Sequence, residues 1–101
     1  MIILHVSLFV PDEARAQWEA VTRSAIQRTR EEPGNVEFFY APDLVEPRLV
    51  HAVEVWESED ALEVHKAVHK YRADLNIELG VVTGSVEIYE VPNAGPSSAG
   101  R

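Results

Sequence analysis

The apolar residues of this chain switch repeatedly between strand-like and helix-like spacing, and the order of those switches limits its fold more than any single motif. Residues 2 to 10 (IILHVSLFV) are interrupted only by His5 and Ser7, as expected of a central strand covered on both faces. Asp12 and Glu13 offer an N-cap and first-turn negative charge. Ala14, Trp18, Val21, Ala25 and Ile26 then recur at helical spacing until Pro33-Gly34, which predicts a first helix over roughly residues 12 to 32. Residues 35 to 41 (NVEFFYA) and 48 to 57 (RLVHAVEVWE) read as two strands of a hairpin joined by a turn with two prolines. Ser58 caps a second helix, acidic at its start, whose apolar stripe is Ala61, Val64, Val68, Tyr71 and Leu75. Its HKAVHKY stretch carries no breaker, so one continuous helix is expected up to Gly80. Residues 84 to 91 (GSVEIYEV) alternate as a last strand.

The order β-α-β-β-α-β predicts an α+β, ferredoxin-like domain over residues 1 to 91: one antiparallel sheet, strands one and three central, both helices on one face. Residues 92 to 101 (PNAGPSSAGR at the end of the chain) carry no core residue, and a flexible tail is expected there. The sheet face without helices would be apolar, so a homodimer joined through that face is expected. A chain of 101 residues is also short for a comfortable monomer.

Charge narrows the partners. Seventeen acidic residues against nine Lys and Arg give a net charge of −8, which repels phosphate backbones and anionic lipid, so neither nucleic acid nor membrane is expected. The absence of cysteine excludes disulfides and thiolate chemistry and is compatible with a cytoplasmic protein. The apolar N-terminus is cut short by Pro11-Asp12, too early for a membrane span.

The residues that carry chemistry cluster in the second half. On the second helix Leu62, His65, His69 and Arg72 form a row beside the apolar stripe, about a turn apart, so the two histidines can meet one ligand. Strand one can aim His5 at the helix layer, and Trp56 can close an apolar slot between sheet and helices. His51 has opposite parity to Trp56 and belongs to the other sheet face. The His-x-x-x-His spacing could hold a metal, but a zinc site wants a third protein ligand and a glutamate at the second position, where Lys66 stands. No metal is expected on that ground. Arg15, Glu19, Arg23 and Arg30 read as the solvated face of the first helix.

The words EEPGNVEFF and VEVWESEDALEVHK, in this order and separation, resemble the antibiotic biosynthesis monooxygenase family of small dimeric α+β barrels. The matching residues are Glu32, Pro33 and Gly34, then Glu54 and Trp56, then Ala61, Leu62 and His65, and the resemblance spans residues 2 to 91. It implies a cofactor-independent oxygenase acting on a quinol, an anthrone or another polycyclic phenol with O2, no cofactor being required. On that reading His65 is the base, with His5 or His69 as proton partner. Trp56 is an aromatic wall for a flat, quinone-like ring, and Tyr71 or Arg72 steadies an oxyanion. Two departures from the family pattern stand out. The Ser-Pro break that usually follows the first histidine is missing, which moves His69 off the usual second-histidine place, and Ala52 replaces an amide side chain found in some oxygenases. The axial histidine of the haem-degrading branch has no counterpart here, where Leu75 and its neighbours stand. The scaffold also implies two alternatives: a non-catalytic small-molecule binder, and an isomerase or cyclase using His65 without oxygen.

Overall fold

A computed structural model describes residues 1–92, so all but the first residue of the expected flexible tail lies outside the described residues. The elements are β1 (Ile2–Phe9), a 3-10 turn (Asp12–Ala14), α1 (Arg15–Thr29), β2 (Asn35–Pro42), β3 (Leu49–Trp56), α2 (Glu59–Val68), α3 (Tyr71–Leu79) and β4 (Val82–Glu90). The strands form one antiparallel sheet in the order β2-β3-β1-β4, the expected α+β, ferredoxin-like arrangement with β1 and β3 central. No helix among the described residues is long and apolar enough to cross a membrane.

Pairing of β1 with β3 sets Ile2 against Trp56, Leu4 against Glu54, Val6 against Ala52 and Leu8 against Val50. These residues share the face that the helices cover. There Leu8, Val10, Val50 and Val81 pack with Trp18 of α1, while Ile2, Leu4 and Trp56 pack with Leu62 of α2. Neighbours of opposite parity, including His5, Ser7, His51, Val53 and Val55, lie on the open face. Edge strand β4 is exposed along its whole length, Val82, Val86, Ile88 and Tyr89 among the exposed residues.

Three local expectations are corrected. The first helix is shorter at both ends: Asp12 sits in a 3-10 turn closed by Ala14 N–H donating to the Pro11 carbonyl at 3.1 Å, and α1 stops at Thr29, ahead of Pro33. The second helix is two helices. Ser58 does cap α2, its hydroxyl accepting from Ala61 N–H at 3.2 Å, but His69 leaves helical geometry with φ −102° and ψ 20°. No proline is needed for this break, because Arg72 N–H restarts the chain by donating to the His69 carbonyl at 2.9 Å.

The third correction concerns which side of α2 faces the sheet. Leu62 and His65 are buried, whereas Val64 and Val68 of the expected apolar stripe are 62% and 60% exposed. The polar row turns inward because each of its members finds a partner there: acidic groups for the two histidines, and Thr22 for Arg72. A glycine permits the approach. Gly34 has φ +84° and a Cβ built on it would stand 2.5 Å from the Ala61 Cβ, so only a residue without a side chain lets α2 lie this close to the α1–β2 turn.

This inversion is testable by denaturant unfolding. Leu62→Ala is expected to cost about 2–5 kcal/mol of stability, and Val64→Ser to stay within about 0.5 kcal/mol of the wild type. The reverse ranking is what the sequence stripe would require.

Candidate functional site

Four side chains from three elements meet under α2. Glu32 comes from the turn after α1, Glu54 from the helix-facing side of β3, and His65 and His69 from the end of α2. His65 Nδ1 lies 2.7 Å from Glu32 Oε1, and His69 Nε2 lies 3.3 Å from Glu32 Oε2, so one carboxylate bridges both rings. Across the His65 ring, Nε2 is 3.8 Å from Glu54 Oε1, too far for a hydrogen bond. Glu54 is itself held by the Trp56 indole N–H, which donates to Oε1 at 3.0 Å. With Nδ1–H donated to Glu32, neutral His65 keeps an unprotonated Nε2, the form a general base needs.

Glu54, His65 and His69, but not Glu32, border a cavity of about 370 Å³ walled by Leu4, Phe38, Leu62 and Ala25 and edged also by Tyr40 and Arg72. Two of its lining residues carry buried polar atoms with no hydrogen-bond partner among the described residues, Arg72 Nη1 and Thr29 Oγ1. The other guanidinium nitrogen, Nη2, donates to Thr22 Oγ1 at 2.9 Å, which fixes the side chain. A cation donor and a hydroxyl without partners among the described residues, beside the apolar walls, fit a ligand that bears an oxygen. Burial raises the Tyr40 pKa above the ordinary phenol value, and Glu54 adds to the rise while Arg72 pulls against it. A second hollow of about 330 Å³, between α1 and β2 and lined by Arg15, Trp18, Arg23 and Tyr40, contains no histidine.

The fold brings together His65, His69 and Arg72 at the cavity, sets Trp56 and Tyr71 against the two histidines from outside its lining, and places His5 on the other face of the sheet. His5 is turned away from the helix layer because Ile2 and Leu4 take the covered side of β1 and alternation leaves His5 on the open face. There it joins a chain of side chains across the sheet: Glu87 Oε1 to His5 Nδ1, His5 Nε2 to His51 Nδ1, and His51 Nε2 to Asp43 Oδ1, each 2.9 Å. Asp43 is held down to about 2 by the Glu46 backbone N–H first, then by His51 and the Val45 N–H. Trp56 is fully buried and does not line the cavity; its ring backs His65, with centroids 4.7 Å apart. Tyr71 is 45% exposed, also outside the cavity lining, and its hydroxyl accepts from Arg28 Nη2 at 2.9 Å.

Glu32, Glu54, Tyr40 and Thr29 received no role from the sequence. The first two were visible in the words EEPGN and VEVWE, and Glu54 shares the parity of Trp56, which placed it on the covered face. Tyr40 and Thr29 gave no comparable signal.

The sequence model for antibiotic biosynthesis monooxygenases matches residues 1–73. Among solved structures, a provisionally named antibiotic biosynthesis monooxygenase from Deinococcus radiodurans superposes with a TM-score of 0.85 at 25% identity, covering 96% of this chain and 98% of that one. A conserved protein from Methanosarcina mazei superposes with a TM-score of 0.78 at 23% identity, covering 88% and 90%. One of unknown function from Bacteroides thetaiotaomicron, described as a possible oxidoreductase, gives 0.79 at 17% identity, covering 89% and 96%. No protein of curated function matches the chain by sequence.

The cavity's polarity can be read through Tyr40. A carbon NMR titration of its ring is expected to show a midpoint above the ordinary phenol value of 10.0. Since the folded state then holds a proton that the unfolded state has released, stability should fall as pH rises past that value, and Tyr40→Phe should lessen the fall.

Proposed function

The chain belongs to the antibiotic biosynthesis monooxygenase family, and from that premise we propose that it is a cofactor-independent monooxygenase acting on a quinol, an anthrone or another polycyclic phenol. The observation that carries this reading is the state of His65: one ring nitrogen anchored to Glu32 at 2.7 Å, the other free of hydrogen bonds, at the edge of a partly apolar cavity. A cofactor-free oxygenation asks the protein for little beyond this. A base removes the acidic proton of the substrate, the resulting anion delivers its electrons to O2, and the substrate supplies every electron used. For an anthrone the methylene becomes a carbonyl. One oxygen atom enters that carbonyl, the other leaves as water, and the two methylene hydrogens are accounted for in the water.

His65 is the base, and its positioned imidazole contributes roughly 10²- to 10⁴-fold. Glu32 fixes the tautomer and stabilises the imidazolium that forms. Arg72, whose Nη1 has no hydrogen-bond partner among the described residues, faces the anion's developing oxygen charge. Tyr40 stays a neutral donor because burial keeps its proton in place. His69 shares Glu32 with His65 and completes the proton path. Phe38 and Leu4 supply the flat apolar walls that the sequence reading had assigned to Trp56.

The working form is a homodimer. Both faces of β4 and much of the open sheet face are without cover among the described residues, and a second copy joined through that face buries them.

Oxygen uptake by metal-free protein with an anthrone and a quinol, against a protein-free blank, tests the proposal. Uptake should depend on protein and fall roughly 10²- to 10⁴-fold in His65→Ala. Uptake no faster than the blank by folded protein, or uptake unchanged in that variant, counts against it. Product formed without oxygen would point to an isomerase.

A further inference from the structure

The sequence places His65 and His69 four residues apart on one helix and offers no third metal ligand nearby. The fold supplies one. Glu32 sets an oxygen against each ring, at 2.7 and 3.3 Å, and one ligand atom from each of the three residues lies within 4.8 Å of the other two. Two imidazoles and a carboxylate suit divalent transition ions. The set lacks the oxygens that Mg2+ or Ca2+ prefers and the thiolates of Cys-rich zinc sites.

A second, independent feature points the same way. Metal-bound histidines commonly hand their other ring N–H to a carboxylate that fixes the tautomer. Glu54 lies on that side of the His65 ring, 3.8 Å from Nε2 and short of a hydrogen bond until the ring shifts toward it, and is oriented by the fully buried Trp56. The side chains of Glu32, Glu54, His65 and His69 are only 18, 13, 11 and 9% exposed. A carboxylate withdrawn from water as Glu32 is gains from a cation beside it.

We propose that Glu32, His65 and His69 form a site for one divalent ion of the zinc type, and that a bound ion and base catalysis by His65 exclude each other. The site half stands alone; the exclusion rests on the function proposed above. In the ion-free form Nδ1–H of His65 points to Glu32 and Nε2 holds the lone pair. An ion bound at Nδ1 moves that proton to Nε2, toward Glu54, and the lone pair that would accept the substrate proton is gone. With bonds of about 2.0–2.2 Å, ligand atoms around one ion sit roughly 3.4 Å apart. The Glu32–His65 contact of 2.7 Å therefore opens and any wider separation, up to 4.8 Å, closes, both within the reach of side-chain rotation. The ion is therefore an inhibitor and not a cofactor.

Isothermal titration of chelator-treated full-length protein with ZnCl2 tests the site. One ion per chain should bind, and Glu32→Gln and His69→Ala should each weaken binding at least tenfold, with circular dichroism confirming that both variants fold. His51→Ala is the control, because His5 and His51 are the other histidine pair; it should leave binding unchanged. No saturable binding, or binding lost in His51→Ala and kept in the other two variants, overturns the site. The exclusion is read separately. Oxygen uptake by wild-type protein should fall in proportion to zinc occupancy and return with chelator, and uptake that persists at full occupancy overturns it. Protein with no uptake at all sinks the oxygenase reading and the exclusion with it, while the titration still decides the site.

Discussion

The pairing of β1 with β3 is the constraint from which the site follows. It puts Leu4 beside Glu54 and Ile2 beside Trp56, all on the side that α1 and α2 cover. A slip of one residue would send Glu54 and Trp56 to the open face and bring Val53 and Val55 under the helices, a better hydrophobic choice with no chemistry left in it. The central strands are apolar on both sides, so the pattern alone resists that slip weakly. What holds the register is the fit of Trp56 against Ile2, Leu4 and Leu62.

Turning a polar row of α2 inward costs desolvation that an apolar stripe would not. The cost is offset pairwise, with His65 and His69 on Glu32 and Arg72 on Thr22, and the valines left outside are the visible penalty. Such local conflict between pattern and packing is commonest where a protein binds or reacts. Arg72 Nη1 and Thr29 Oγ1, buried with no hydrogen-bond partner among the described residues, belong to the same economy.

Element order and fold class were legible in the sequence because strand and helix periods are local properties, and Ser58 capped its helix as written. The facing of α2 was not legible. Its valine stripe outscores the Leu62–His65–His69–Arg72 row on hydrophobicity, and only the distant Glu32, Glu54 and Thr22 reverse the choice. The break at His69 escaped because HKAVHKY holds neither proline nor glycine to mark it. His5 was misplaced because β1 is apolar on both faces, and alternation within such a strand does not say which face the helices will take. Glu32 was in plain view before Pro33-Gly34, but a glutamate in a turn reads as solvated surface until something is found above it.

Gly34 carries no functional group, yet it fixes the ionic geometry of the cluster. Its missing side chain brings the backbone of the α1–β2 turn against Ala61, and the turn carries Glu32 with it. Ordinary van der Waals contact would hold the two about 1 Å further apart. The same displacement would stretch the 2.7 Å contact of Glu32 with His65 past hydrogen-bonding range and leave the imidazole tautomer unselected. A single hydrogen atom thus serves as the spacer that sets the proton's address on a ring two elements away.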